Sequence, residues 1–181
     1  ICMLQSIRKI SKSGQFAAIY TNDADTSSFI FGRVIVTDDK YLAIQPVTQD
    51  GEADGILIKL CDDVFRIDIG GRYVERMKKL MNHYNVNLVN YNIDEKNIVD
   101  SIMDIAKHER CVMSIELEKS GIDDITGFVK EYNQEGIVLD VIDSFGNADG
   151  ISSARKASIS QISYNGKNEM RIMILAQETK Q

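Results

Sequence analysis

The sequence predicts a mainly β fold of the α+β class, made of two tandem small β-barrels that arose by internal duplication and are joined by an α-helical connector. Three observations predict this fold. Short runs rich in β-branched and aromatic residues alternate with turns rich in glycine and aspartate. The pattern of residues 32–80 returns 95 positions later, without a gap, over residues 127–175. A stretch with helical spacing of apolar residues lies between the copies.

The residues that the two copies share are mostly glycines, small residues and aliphatic residues. These residue types set backbone geometry and packing, so the repeat predicts a fold and says little about chemistry. The identical pairs include Gly32 and Gly127, Val34 and Val129, Gly51 and Gly146, Ala53 and Ala148, Asp54 and Asp149, Gly55 and Gly150, Ile56 and Ile151, Ile67 and Ile162, Gly71 and Gly166, Arg76 and Arg171, and Leu80 and Leu175.

The repeat predicts three regions along the chain. Residues 1–84 are the first barrel with an N-terminal arm and a C-terminal helix, residues 85–108 are a helical connector, and residues 109–181 are the second barrel. Residues 1–12 are a short helix or an arm. Gly32, inside a run of strand-forming residues, indicates a bend that helps a small sheet to curl.

Alternating hydrophobicity predicts the strands, and apolar residues at helical spacing predict the helices. In the first copy we expect strands at 15–21, 29–36, 41–47, 56–60 and 64–69, and a helix at 72–84. In the second copy we expect strands at 111–117, 125–132, 136–142, 158–164 and 170–176. A helix at 93–107 lies between them, with a capping box at 92–95.

The two copies give conflicting predictions at their ends. The spacing from Tyr73 to Leu80 favours a helix, whereas the equivalent residues of the second copy have the composition of a strand. Either the equivalent positions differ in structure, or the first copy also begins with a strand that the periodicity conceals. The pair Asn165 and Gly166 also predicts a type I′ hairpin turn before that strand.

The most distinctive local motif pairs two glycines with an aspartate, and it occurs once in each copy. Such a motif is typical of a structural turn, in which glycine supplies positive φ and aspartate bonds the local backbone. The alternative is a loop that offers the aspartates to a metal or a ligand. The residues are Gly51, Asp54 and Gly55, and then Gly146, Asp149 and Gly150.

Composition limits the functional classes. Hydrophobic residues make up 44% and charged residues 27%, and no apolar run approaches the length of a membrane span. The net charge of -6 disfavours a non-specific nucleic-acid binder. Three cysteines without close spacing, Cys2, Cys61 and Cys111, indicate reduced thiols and a cytoplasmic protein.

Candidate catalytic residues are sparse. His83 and His108 have no partner at a spacing typical of a triad or a zinc site, and no phosphate-binding loop is present. The acidic pairs 62–63 and 123–124, and Asp23 with Asp25, are typical of solvated loops. The arginine pair and Asp-x-Ser-x-x-Gly strand of PilZ domains are missing. We therefore predict no enzyme activity, no cofactor and no metal.

The strand order and the motif around each curling glycine resemble the SH3-like small barrels, and among them the Sm-like family. Residues 127–133 with 137–140, and residues 32–38 with 42–44, resemble the first Sm motif. The family's RNA-contacting asparagine is replaced by Tyr41 in one copy and by Gly136 in the other. Residues 70–72 and 165–167 resemble the arginine and glycine of the second motif. The resemblance implies a small curled sheet and raises the question of RNA binding.

Candidate binding residues are one aromatic side chain near the Sm motif and a set of basic residues concentrated in the second copy. They are Tyr41, Arg72, Arg155, Lys156, Lys167 and Arg171. Four aromatic residues could form a stacking platform if they are exposed, and are core residues otherwise: Tyr20, Phe31, Tyr41 and Phe65.

The sequence thus predicts a non-catalytic interaction or regulatory module with a protein partner. Homodimerisation through open strand edges is part of this prediction. The alternative is a single-stranded RNA-binding protein of the Sm-like type.

Overall fold

The computed structural model describes residues 2–178 and divides into two compact units, with the boundary between Ile98 and Val99. Each unit contains one α-helix, four strands, a short 3₁₀ turn, a fifth strand and a second α-helix, in that order. The predicted α+β class with a mainly antiparallel sheet is confirmed. No helix in residues 2–178 is long and apolar enough to cross a membrane.

The first unit begins with an amphipathic helix, α1 (Met3–Ser13), whose residues Ile7 and Ile10 are buried. The helix ends at Gly14, because a φ of 62° lets its N–H donate to the Ile10 carbonyl at 3.0 Å. The remaining elements are β1 (Phe16–Tyr20), β2 (Ile30–Thr37), β3 (Tyr41–Pro46), β4 (Ile56–Leu60), the 3₁₀ turn Cys61–Asp63, β5 (Arg66–Ile69) and α2 (Gly71–His83).

The second unit repeats this series of elements. They are α3 (Ile98–Glu109), β6 (Val112–Leu117), β7 (Ile125–Tyr132), β8 (Gly136–Ile142), β9 (Ala148–Arg155), the 3₁₀ turn Lys156–Ser158, β10 (Ile159–Tyr164) and α4 (Lys167–Glu178). Most elements begin 94 to 96 residues after their counterpart in the first unit, so the spacing of the sequence repeat is also the spacing of the structural elements.

Strand order is the same in the two sheets. The order is β5-β1-β2-β3-β4 in the first unit and β10-β6-β7-β8-β9 in the second, so the fifth strand lies beside the first. The ladders are antiparallel. The fourth and fifth strands of a unit lie at opposite ends of its order. The strand order is therefore open, whereas the sequence predicted small barrels.

The hairpins β2-β3 and β7-β8 carry the same irregularities. A β-bulge lies between Val34 and Val36 in β2 and between Val129 and Glu131 in β7. A bulge bends a strand and increases its twist, so both sheets curl at the same place.

The conserved glycines Gly32 and Gly127 allow a very close approach of the neighbouring strand. A Cβ atom on Gly32 would lie 2.3 Å from the carbonyl oxygen of Gln45, and one on Gly127 would lie 2.3 Å from that of Asp140. No side chain fits at such a distance, which explains why both positions are glycine.

The first unit has one apolar cluster associated with each helix. The cluster that includes α1 contains Ile7, Ile10, Ala17, Ile19, Val34, Leu42, Ile44, Cys61 and Val64. The cluster that includes α2 contains Phe31, Val47, Val74, Met77 and Met81. Three rings fill the second cluster, because Tyr73 makes edge contacts with Phe29 at 4.9 Å and with Phe31 at 5.6 Å between centroids.

The C-terminal element of the second copy corrects one prediction. Residues 170–176 form part of helix α4, not a strand, so the equivalent segments 73–80 and 168–175 are both helical. Residues 169, 172 and 176 are the buried ones, which is helical spacing that the run of aliphatic side chains obscured. Asn165 and Gly166 consequently lead from a strand into a helix and do not form a hairpin.

Two further boundaries differ from prediction. The helix between the copies begins at Ile98, five residues later than predicted, and Asp94 accepts from the Lys96 N–H at 3.0 Å in a turn before it. This helix, α3, lies almost wholly in the second unit and is the counterpart of α1. Strand β9 was not predicted, because its residues Ala148–Arg155 are mostly polar and exposed.

Candidate functional site

The predicted binding residue Tyr41 belongs to the core. Its side chain is buried, and the Lys40 ammonium lies 4.8 Å from the centroid of its ring. Arg72 is exposed in the first turn of α2. Tyr41 and Arg72 therefore do not form a binding surface with an exposed aromatic ring.

The predicted basic residues of the second unit have different environments. Arg155 is exposed at the end of β9, whereas Lys156 is half-buried and forms an ion pair with Asp100 of α3. Lys167 and Arg171 lie one turn apart on α4, and both are exposed. The Arg171 Nε atom donates to the Lys167 carbonyl at 3.3 Å. The structure thus brings together only this last pair.

The four aromatic residues considered as a stacking platform are mostly core residues. Tyr20, Phe31 and Tyr41 are buried, and Phe65 is 39% exposed. Tyr20 is held from both sides, because the Arg66 guanidinium lies 4.4 Å from its ring centroid and its hydroxyl donates to Asp68 at 3.1 Å. No platform of exposed rings forms from these residues.

The repeated glycine motif is a turn that rests against the C-terminal helix of each unit. Gly51, Gly55, Gly146 and Gly150 all have positive φ, between 67° and 87°. The contact with the helix is close: a Cβ on Gly51 would lie 2.8 Å from the Cβ of Leu80, and one on Gly146 would lie 2.4 Å from the Ala176 nitrogen.

Each of these turns is stabilised by a side-chain acceptor at its start. In the first unit the Glu52 N–H donates to the Thr48 hydroxyl at 3.3 Å, and in the second the Asn147 N–H donates to the Asp143 carboxylate at 2.8 Å. Hydrogen bonds from Asn147, above all the one from its backbone N–H, lower the pKa of Asp143. The predicted turn residue Asp54 donates through its own N–H to the Pro46 carbonyl, and Asp149 is exposed in β9.

The inner face of α4 carries a polar network that the first unit lacks. Glu169 is only 2% exposed, and its two carboxylate oxygens accept hydrogen bonds from Ser114 at 2.7 Å and from Ser163 at 3.0 Å. Thr126 in turn donates to the Ser114 hydroxyl at 3.1 Å. A buried carboxylate is costly unless hydrogen bonds satisfy it, and here both oxygens are satisfied.

Three of the four equivalent positions in the first unit are apolar, and the fourth, that of Ser163, is Asp68. The residues 95 positions before Glu169, Ser114 and Thr126 are Val74, Ile19 and Phe31, which are all buried in the core. The interior of the fold beneath the C-terminal helix is thus apolar in the first unit and hydrogen-bonded in the second.

A cavity of about 410 Å³ lies beside this network in the second unit. It is lined by Asp123, Asp124, Thr126, Val141, Ile142, Ser144, Asn168, Arg171, Ile172 and Leu175. The three rings that fill the equivalent space in the first unit correspond to Asp124, Thr126 and Asn168, which are smaller. Loss of ring volume therefore explains the cavity.

The two aspartates that line the cavity differ in environment. Desolvation, with the nearby carboxylates of Glu169 and Glu116, raises the pKa of Asp123. Hydrogen bonds from the Ser120 hydroxyl and the Leu117 N–H lower the pKa of Asp124. Asp124 therefore stabilises its own loop, and Asp123 is the acidic group that the local fold does not use.

The outer face of α4 is apolar, and we call it the apolar face: Met170, Ile174 and Leu175. Their exposed fractions are 51%, 55% and 38%. Phe145, which is 74% exposed, lies beside the apolar face because the next residue, Gly146, contacts Leu175.

The outer face of α2 is charged where that of α4 is apolar. Met170, Met173 and Ile174 correspond to Glu75, Lys78 and Lys79, and Phe145 corresponds to Asp50. All four of these first-unit residues are exposed, and Lys78 pairs with Glu75 at 3.1 Å. Relative to α2, helix α4 has one carboxylate on its buried side and apolar residues at three positions of its outer side.

Sequence reasoning missed this site because it compared the copies only at identical positions. The signal lies in the positions that differ, where an apolar residue in one copy aligns with a charged residue in the other. Val74 with Glu169 and Lys79 with Ile174 are the clearest pairs.

Other reactive residues do not converge. No group of three or more His, Cys, Asp or Glu side chains within residues 2–178 is arranged to hold a metal ion. Cys61 is buried, and desolvation raises its thiol pKa. His83 and His108 are exposed.

Comparison with known proteins gives little further information. No family model matches the chain, and no curated protein matches it. Among solved structures, the crystal structure of YcgR from Escherichia coli in complex with c-di-GMP is similar at a TM-score of 0.21 and 8% identity, over 98% of this chain and 91% of that chain. A likeness this weak supports no conclusion about fold or ligand.

Proposed function

We propose that this chain is a non-catalytic protein-interaction module of the cytoplasm, made of two Sm-like units that descend from one duplicated ancestor. The common strand order, the common β-bulge and the close contacts at Gly32 and Gly127 support a common ancestor. In this proposal the first unit is a scaffold and the second unit carries the binding surface.

One observation carries the proposal: the apolar face of α4 is exposed where the equivalent face of α2 is charged. Contiguous exposed apolar residues on a folded protein commonly mark a surface that a partner covers. Lys167 and Arg171 lie between Met170 and Leu175 around the helix. A protein partner with apolar side chains and interspersed acidic residues would complement this surface.

Lysine cross-linking in cells, followed by mass spectrometry, tests this proposal. We expect cross-links from Lys167 to another protein molecule, and far fewer from Lys78 and Lys79, which occupy the charged face of α2. The double variant Met170→Glu, Ile174→Lys, which restores the first-unit residues, should lose the Lys167 cross-links. Equal cross-linking at the two helices, or no loss in the variant, would refute the proposed binding surface.

Binding of single-stranded RNA is the second candidate function. The exposed positions of Arg155, Lys167 and Arg171 favour it, since phosphate contacts need accessible cations. The expected result is a salt-dependent RNA mobility shift that weakens when Arg155 and Lys167 are changed to glutamate. Absence of a shift at low salt would exclude this candidate.

A further inference from the structure

We infer that the apolar face of α4 is covered by α4 of a second copy of this chain, in an antiparallel pair around a twofold axis. This inference rests on the proposed function, because it names the partner of the same surface. It is independent of strand-edge pairing, since it uses the helix surface and not the backbone of an edge strand.

The order of residues along the exposed side of α4 indicates an antiparallel arrangement. Lys167, Arg171, Ile174 and Glu178 follow one another at spacings of four, three and four residues, so they form one stripe along the helix. Basic residues occupy the N-terminal half of this stripe, and the acidic residue lies at its C-terminal end.

A second α4 in the opposite direction matches this stripe in both chemistry and position. When Lys167 faces Glu178 of the second copy, the aliphatic stem of Arg171 faces Ile174, and Met170 and Leu175 lie on opposite flanks of the contact. The same contacts recur at the other end of the helix pair, as a twofold axis requires. A parallel pair would place Lys167 against Lys167 and Arg171 against Arg171, and like charges at such positions repel.

Helix α2 does not suit such an antiparallel pair. Helix α2 carries Glu75, Lys78 and Lys79 at the corresponding positions, so it cannot replace α4 in such a pair.

Helix α4 has 12 residues and is therefore about 18 Å long. An interface of this size is small, so we expect a dimer that dissociates on dilution.

Analytical ultracentrifugation of the full chain over a wide concentration range is the first test. We expect the mass to rise from 20.3 kDa toward twice that value as concentration increases. Met170→Glu with Ile174→Lys should remain monomeric, with an unchanged circular dichroism spectrum and melting temperature because both side chains are exposed. The matched control, Glu75→Lys with Lys79→Glu on α2, should dimerise as the wild type does.

A charge exchange tests the antiparallel orientation. Lys167→Glu alone and Glu178→Lys alone should each weaken the dimer roughly 5-fold, because each replaces an attraction with a repulsion. The double exchange should return the dissociation constant to near the wild-type value. If the double exchange is as weak as the sum of the single changes, the antiparallel pairing is wrong.

The remaining outcomes separate this inference from the proposed function. A wild-type chain that stays monomeric at all concentrations, with Lys167 cross-linked to a different protein, would overturn the inference and retain the interaction module. Binding of the monomer to phosphatidylglycerol vesicles, lost in Met170→Glu with Ile174→Lys, would assign the face to lipid and overturn both. A concentration-dependent dimer that the same variant abolishes would support both.

Discussion

Helices α2 and α4 occupy the same place in two units with the same strand order, yet Glu169 of α4 is buried where α2 has Val74, and Ile174 is exposed where α2 has Lys79. The buried side of α2 contains Val74, Met77 and Met81, whereas that of α4 contains Glu169, Ile172 and Ala176. The comparison shows that the fold tolerates a polar interior beneath this helix, provided that the polar groups bond one another. The two units thus share an order of elements and differ in the side chains on both sides of this helix.

The polar network gives no evident advantage in stability. The first unit packs apolar side chains at the same positions, and apolar replacement of a buried polar set is often neutral or stabilising. The network and its cavity are therefore better explained by a role of the second unit than by a requirement of the fold. The apolar outer face leads to the same conclusion, because exposure of Met170 and Ile174 to water has no structural benefit.

The largest expected effect is a loss of stability at the glycines that the two units share. Gly32→Ala and Gly127→Ala should each lower the free energy of unfolding by about 3 kcal/mol, since the new Cβ would overlap a backbone carbonyl of the neighbouring strand. Gly14→Ala, with nothing within 4 Å of the new Cβ, should cost about 1 kcal/mol from its positive φ alone. Urea unfolding measures all three. If alanine is fully tolerated at only one of the two positions, Gly32 or Gly127, the two hairpins are not equivalent.

The next largest effect is a change in stability when the polar interior beneath α4 is replaced by the residues found beneath α2. Glu169→Val should destabilise the second unit by about 2 kcal/mol, because two serine hydroxyls lose their acceptor. Adding Ser114→Ile and Thr126→Phe, the first-unit residues at two more positions of the network, should recover part of that loss and fill part of the cavity. Hydrogen exchange resolved by residue would report the change in the second unit separately. A triple variant that is less stable than Glu169→Val would mean that the units cannot exchange interiors.

The smallest effect concerns acid sensitivity of the glycine turns. The Asp143 pKa is lowered from its usual value of 3.8, so its stabilising bonds are present above that value and are lost as pH falls through the lower folded-state pKa. The Thr48 hydroxyl of the first unit does not titrate. Amide exchange should therefore show loss of protection at Asn147 but not at Glu52 on acidification. Asp143→Thr should abolish this difference, and a persistent difference would mean that another group titrates.

The sequence predicts the parts of this fold that depend on local pattern. Strands 125–132 and 136–142 were predicted with the observed bounds, because alternation and flanking turns define them. The end of the second copy was predicted wrongly because Met170, Ile174 and Leu175 are exposed: their apolar side chains hide the helical spacing of the buried residues. Strand β9 was missed because an exposed edge strand has no apolar alternation to detect.

The candidate site was less predictable than the fold. The predicted basic pair Lys167 and Arg171 does lie among the exposed apolar residues of α4, whereas Tyr41 is in the core and Lys156 is paired with Asp100. The network around Glu169 joins residues that are 55 positions apart in sequence, so only the strand pairing and the position of α4 bring them together.

Hydrogen exchange of α2 and α4 in the wild-type chain, measured at low and at high protein concentration, tests the central claim most directly. We expect protection of the α4 amides to rise with concentration while that of the α2 amides stays constant, as the proposed pairing of α4 with a second copy requires. Equal behaviour of the two helices at every concentration would contradict that pairing.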